Sequence, residues 1–342
     1  MEHRHLGRTG VSVSKFCLGA MMFGAWGNPD HDESIRIIHR ALDAGVNFID
    51  TADVYGQGES EEIVGKALAG GRRDDVFLAT KFHNAMGDDP NQRGNSRRWI
   101  MRAVEDSLRR LGTDWIDLYQ VHRPDPSTDI EETLGALTDL VHAGKVRYIG
   151  HSTFPAPQIV EAQWAARDRG LQRFVTEQPP YSMLVRAAEA DVLPTCLRHG
   201  MGVMSYSPLT GGWLSGRWRK DSGQQASSRA GRLPERFDLA NPYNQRKLDA
   251  VEELARLADK AGLTLIQLAI TFVLNHPAIT SALIGPRTME QLDSQLAAAD
   301  VVLDDAVLDR IDEIVPPGIT INPADNSFAN PVLEPAARRR SR

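Results

Sequence analysis

Residues 47–56 read NFIDTADVYG, residues 76–82 read VFLATKF, and residues 115–122 read WIDLYQVH. Each is a short apolar run of strand length that ends in polar chemistry. Asp50 closes the first and Tyr55 follows it; Lys81 and His122 close the other two. In a closed parallel barrel the carboxyl ends of all strands meet on one face, which is where such folds carry their chemistry. An acid, a phenol, an amine and an imidazole delivered together to that face predict a proton-transfer site.

Working outward, strand and helix patterns alternate along the rest of the chain. HRHL, a GRTG turn and VSVSK alternate polar with apolar and predict an N-terminal hairpin. KFCLGA precedes DHDESIRIIHRALDAG, where Ile35, Ile38 and Leu42 recur at helical spacing, Asp30 or Asp32 offers an N-cap and Gly45 a stop. Ser60 is a candidate N-cap for SEEIVGKALAG. VRYIGHS, RFVTEQPP, GVMSYSPL and TSALIG supply further strands, and helices are expected around 191–199, 246–261 and 265–274. Eight strand–helix units after the hairpin predict a (β/α)8 barrel over residues 1–315. The turn after the first barrel strand, GAMMFGAWGN, lacks the glycine spacing of a doubly wound dinucleotide fold. Two stretches, 83–96 and 211–243, exceed ordinary loop length, and both are expected over the catalytic face. The Pro-rich tail 316–342 is expected to be partly disordered, with its first part within reach of the barrel mouth.

Composition narrows the classes. The net charge is −6 and basic residues are scattered, apart from a terminal RRRSR, so a nucleic-acid partner is disfavoured. No run approaches the ~18 apolar residues of a membrane span. Cys17 and Cys196 are the only cysteines, at a spacing that fits neither a zinc site nor a disulfide framework. Buried free thiols, no metal and a reducing cytoplasm are the expectation. The chain shows no decisive interface stripe, which leaves a homo-oligomer open.

The four polar residues suit one another. A phenol with an ordinary pKa near ~10 needs help to act as an acid at neutral pH. The Lys81 ammonium is expected to lower it, Asp50 to keep Lys81 charged, and His122 to orient or relay a proton. Phe23, Trp26 and Phe82, with Trp213 after the seventh strand, would add an aromatic rim suited to an aryl or medium-chain substrate, which Tyr55 and His122 would also meet.

FIDTADVYGQGESEEIVGKAL, SLRRLGTDWIDLYQVHRPD, GKVRYIGHSTF, YSPLTGG and LIGPRTMEQL together resemble the aldo-keto reductase superfamily, from about Leu6 to Val315. The nearest branch is the bacterial, potassium-channel-β-like and aryl-alcohol-dehydrogenase-like one. The resemblance implies a catalytic tetrad of Asp50, Tyr55, Lys81 and His122, with Tyr55 giving a proton to a carbonyl that takes hydride from NADPH. It places Ser152 and Gln178 on the nicotinamide carboxamide, with Thr153 where the family usually has Asn. Tyr206 would stack on the ring, and Ser207, Pro208, Leu209 and Gly211 would line the pyrophosphate. Gly285, Arg287, Gln291 and Gln295 would hold the adenosine end, with Arg287 on the 2′-phosphate and Gln295 where Asn is usual. Gly19, Ala20 and Met21 complete the cofactor contacts. A nicotinamide-sensing subunit of a membrane partner is the alternative that the channel-associated branch suggests.

Overall fold

The computed structural model describes residues 1–222 and 228–327. β1 (His3–His5) and β2 (Ser12–Ser14) pair antiparallel as the expected hairpin. Eight strands then close a barrel: β3 (Phe16–Gly19), β4 (Phe48–Asp50), β5 (Phe77–Phe82), β6 (Ile116–Val121), β7 (Val146–Ser152), β8 (Thr176–Gln178), β9 (Gly202–Ser205) and β10 (Ser281–Ile284). They follow one another in sequence around the ring, with β10 pairing back to β3. All eight pairings are parallel. Each parallel step needs a crossover, and the helices supply it.

Strand parity decides what reaches the site. Phe77 and Ala79 of β5 join Cys17, Phe48, Leu118, Met204 and Leu283 in a cluster that fills the barrel interior. Leu78 and Phe82, on the opposite face, pack in the layer between barrel and helices. Two residues beyond each apolar interior residue the same column turns polar: Phe48 gives way to Asp50, Ala79 to Lys81, and Leu118 to Gln120 and then His122. The barrel is therefore packed below and polar at its carboxyl end.

Leu6 and Val13 of the hairpin belong to the interior cluster, and both are fully buried. The hairpin thus stops the amino-terminal end. Gly7 makes the fit possible: its φ is 57°, and a Cβ there would lie 2.6 Å from the Gly200 carbonyl oxygen.

Local signals fix most helix ends. Asp30 caps helix His31–Asp43 by accepting from the Glu33 N–H. Ser96 does the same for helix Arg97–Leu111, which ends at the left-handed Gly112. Ser60 is not a cap, because helix Glu59–Leu68 starts a residue earlier, after Gly58. Its buried hydroxyl instead donates to the Ala20 carbonyl and lies 2.9 Å from Thr51 Oγ1, joining the exits of β3 and β4. The helix expected near 246 begins at Pro242, capped by Asn241. Cys17 and Cys196 are buried free thiols. Among the described residues, no single helix is long and apolar enough to cross a membrane.

The segment after β9 has a small core of its own. Trp213 and Trp218 stack with centroids 4.1 Å apart and Phe237 lies alongside. Trp213 is completely buried, so it is part of this core and not of an aromatic rim. The tail is folded from Pro316 to Ser327: Ile319 and Thr320 meet Arg186 and Val185, and Asp325 forms a buried ion pair with Lys247. The rest of the tail lies outside the described residues.

Candidate active site

Lys81 is fully buried at the centre of the polar end. Its ammonium donates to Asp50 Oδ2 at 2.5 Å, to the Thr51 carbonyl at 2.7 Å and to Tyr55 Oη at 3.3 Å. Its three donors are therefore all used, two on anionic or carbonyl oxygens and one on the phenol. Burial alone would drive the lysine pKa down, yet Asp50 and Tyr55 outweigh it and hold the ammonium above its ordinary range. Asp50 Oδ1 accepts from Gln120 Nε2 and from Gln178 Nε2, both at 3.0 Å. Five polar side chains and the Thr51 carbonyl thus share one buried network that leaves neither oxygen of Asp50 without a donor.

Tyr55 corrects the expectation of a phenol acidified by its neighbour. Burial pushes its pKa up, and the opposing pull of Lys81 does not restore it. The phenol is held protonated, with a cation beside it ready to support the charge left when the proton departs. That is the resting state an acid needs.

His122 follows Val121 on the inward column, and its backbone N–H donates to the Phe82 carbonyl. Asn84 Nδ2 donates to His122 Nδ1 at 3.0 Å. Nδ1 is then the acceptor and Nε2 carries the hydrogen. Burial, with Lys81 and Arg123 adding to it, drives the imidazole pKa well below its usual 6.5. The ring is neutral and lies edge-on to Tyr55, centroids 5.7 Å apart. With His122 neutral and Tyr55 protonated well into the alkaline range, a reaction drawing on them should be level from about pH 6 to about pH 9. A kcat–pH profile with an inflection near neutrality would remove this assignment.

The proposed substrate rim is only partly assembled. Trp26 is half-buried with its ring 5.9 Å from that of Tyr55, and the Arg232 guanidinium carbon lies over the Trp26 ring, 5.5 Å from its centroid. Phe82 is turned away: it packs on Tyr119, centroids 4.9 Å apart, because it neighbours Lys81 and alternation sends it outward. Phe23 is likewise buried in the outer layer.

The remaining candidates ring the mouth from β7 to β10. Ser152 donates to the Gln178 carbonyl, and Thr153, at φ 61°, lies 3.4 Å from the Tyr206 hydroxyl. Ser207, Thr210, Gly211 and Gly212 all take positive φ, turning successive peptide groups after β9. Pro208 is buried and Leu209 packs partly against the core. Arg287 has no carboxylate within ion-pair distance among the described residues; its N–H is held by Gln291 Oε1 and its carbonyl by Asn28. Gln295 faces inward, and its buried Oε1 has no partner among the described residues. Gly19 is half-buried, Ala20 is buried under Ser60, and Met21 is half-exposed beyond them.

Sequence reasoning missed Gln120, Asn84, Arg123 and Asp53. Gln120 was accessible by parity, two residues before His122. Asn84 carries no signal, since a loop places it. Asp53 is buried beside the site with neither carboxyl oxygen partnered among the described residues. Burial first, and then the like charge of Glu61, push its pKa well up. A carboxyl raised on folding favours the folded state less as pH climbs from its unfolded value toward the folded one. Asp53→Asn should therefore raise the melting temperature, by a margin that grows between about pH 4 and about pH 7. Melting curves at the two pH values check this, and a constant margin would contradict it.

Comparison with known proteins gives a consistent result. A model of the Aldo/keto reductase family matches residues 15–316. An uncharacterized oxidoreductase of Bacillus subtilis, YrpG, is 40% identical over 92% of this chain and 96% of its own. A probable voltage-gated potassium channel subunit beta of Arabidopsis thaliana is 37% identical over 92% of this chain and 97% of its own. Versiconal hemiacetal acetate reductase of Aspergillus parasiticus is 34% identical over 92% and 96%.

Proposed function

Since the chain belongs to the aldo/keto reductase family and is an oxidoreductase, we propose that it reduces aldehyde or ketone carbonyls to alcohols with NADPH, with Tyr55 as the general acid. The observation that carries this reading is the Lys81 ammonium spanning Asp50 and Tyr55 beside a neutral His122.

A bound nicotinamide would supply the hydride. The residues at the mouth fit such a group: Ser152, Thr153 and Gln178 offer amide and hydroxyl partners to a carboxamide, Tyr206 a ring face, and Arg287 a guanidinium with no carboxylate of its own among the described residues. Gln178 is already tied to Asp50 through Nε2, so its side-chain Oε1 is the atom left for an amide donor.

The protein's own part is then a proton and an orientation. Tyr55 Oη and the Nε2–H of His122 both donate to the carbonyl oxygen, which orients the carbonyl and draws electron density from its carbon. As the carbon gains hydride, the oxygen takes the Tyr55 proton and the alcohol is complete. The phenolate left behind faces the Lys81 ammonium, which Asp50 keeps charged and in place. Ser152 and Thr153 would hold the carboxamide and so orient the nicotinamide.

Titration of the protein with NADPH and then NADH, followed by fluorescence quenching, tests the reading. NADPH is expected to bind more tightly, and Arg287→Ala should weaken NADPH by roughly 10- to 100-fold while changing NADH little, the loss expected for a charge-assisted bidentate contact. Absence of quenching by either cofactor would sink the proposal. A second reading, a nicotinamide-sensing subunit, draws on the channel-subunit relatives. Tight NADPH binding with negligible turnover on a panel of carbonyl compounds would favour it.

A further inference from the structure

Arg123 directly follows His122, and its carbonyl is held by Asn95 Nδ2. Its guanidinium reaches across the mouth through Nη1, which donates to the His122 carbonyl at 2.9 Å and to Thr153 Oγ1 at 2.8 Å. Ser152 Oγ stands at 3.5 Å. Every acceptor it meets is neutral. Three partly buried arginines elsewhere in the fold are matched with carboxylates: Arg73 with Asp117, Arg110 with Glu61 and Arg186 with Glu189. Arg123 has none within ion-pair distance among the described residues, and its Nε and Nη2 have no hydrogen-bond partner there either. A half-buried guanidinium that is anchored by one nitrogen and leaves its planar edge free is suited to a two-point contact with a carboxylate.

We propose that Arg123 determines substrate specificity by binding a carboxylate on the carbonyl compound, so that the preferred substrates are oxo acids and carboxylated aldehydes. This rests on the carbonyl-reductase reading above. Its position supports the assignment. The same charge lowers the pKa of His122 and opposes the rise at Tyr55, so it acts on the two groups that would receive the carbonyl oxygen. Arg232 over Trp26 adds a second cation to the rim. The free edge of Arg123 would take the carboxylate while Nη1 keeps Thr153 in place.

The test compares matched pairs: 4-oxobutanoate with butanal, and 3-carboxybenzaldehyde with benzaldehyde. The wild-type protein should show a higher kcat/KM for the carboxylated member of at least one pair. In Arg123→Leu that ratio should fall by roughly 10- to 100-fold, as expected for loss of a charge-assisted contact. Arg123→Lys, which keeps the charge but not the planar edge, should fall between the two. Equal losses on both members of each pair would overturn the proposal, as would a wild-type preference for the neutral members. If Arg123→Leu instead raises the NADPH Kd and leaves the ratio alone, the anion is a cofactor phosphate and the proposal is also overturned. Wild-type protein that reduces neither member of either pair would refute the carbonyl-reductase reading itself.

Discussion

Tyr55→Phe should cut carbonyl reduction by at least about a hundredfold and leave cofactor binding intact. The substitution removes one oxygen from a buried ring and nothing else. That oxygen is the proton source in the proposed reaction, and it is also the third acceptor of the Lys81 ammonium. A positioned general acid is worth about a hundredfold to ten-thousandfold in rate, so kcat should fall within that range. The NADPH titration should move by no more than about twofold, because Tyr55 is not among the groups assigned to the cofactor. The ring remains to pack against Trp26 and His122. Full turnover in the variant would remove Tyr55 from the mechanism. A lost quench with a normal melting curve would instead give the hydroxyl a role in binding.

Lys81→Met should cost both activity and stability, and the two losses are separable. The new side chain fills similar space but leaves the Asp50 carboxylate buried, with Gln120 and Gln178 on one oxygen and no cation on the other. Removing one member of a buried ion pair costs about 3–5 kcal/mol, much of it the burden of the charge left behind. The melting temperature should fall by several degrees. Adding Asp50→Asn removes that orphaned charge, so the double variant should recover most of the lost stability. Turnover should not return, since nothing then supports the Tyr55 phenolate. If the double variant melts no higher than Lys81→Met, burial of the unpaired carboxylate is not the source of the loss.

Much of this site was legible in the sequence for one physical reason. A parallel barrel turns strand ends into neighbours, so residues that close successive strands meet whatever their distance along the chain. Asp50, Lys81 and His122 lie at such ends, and the hydrogen bond between Asp50 and Lys81 joins positions 31 residues apart. Where the reading failed, adjacency had been allowed to stand for direction. Phe82 follows Lys81 in sequence and therefore faces away from it in a strand. Trp213 follows the seventh barrel strand but folds inward onto Trp218 and Phe237. Ser60 looked like a helix cap because of its place before an amphipathic run, whereas the helix had already begun. Asn84, which sets the tautomer of His122, is placed by a loop whose course no periodicity describes. The sign of the Tyr55 shift was out of reach too, since it depends on how completely the ring is buried and not on which cation stands beside it.

The hairpin at the foot of the barrel has a consequence for traffic. With Leu6 and Val13 stoppering the far end, the cylinder is a blind alley, and everything that visits Tyr55 must arrive and depart through a single doorway. Whatever settles deepest is then obliged to enter first and exit last, so the turnover cycle inherits a queue from the architecture.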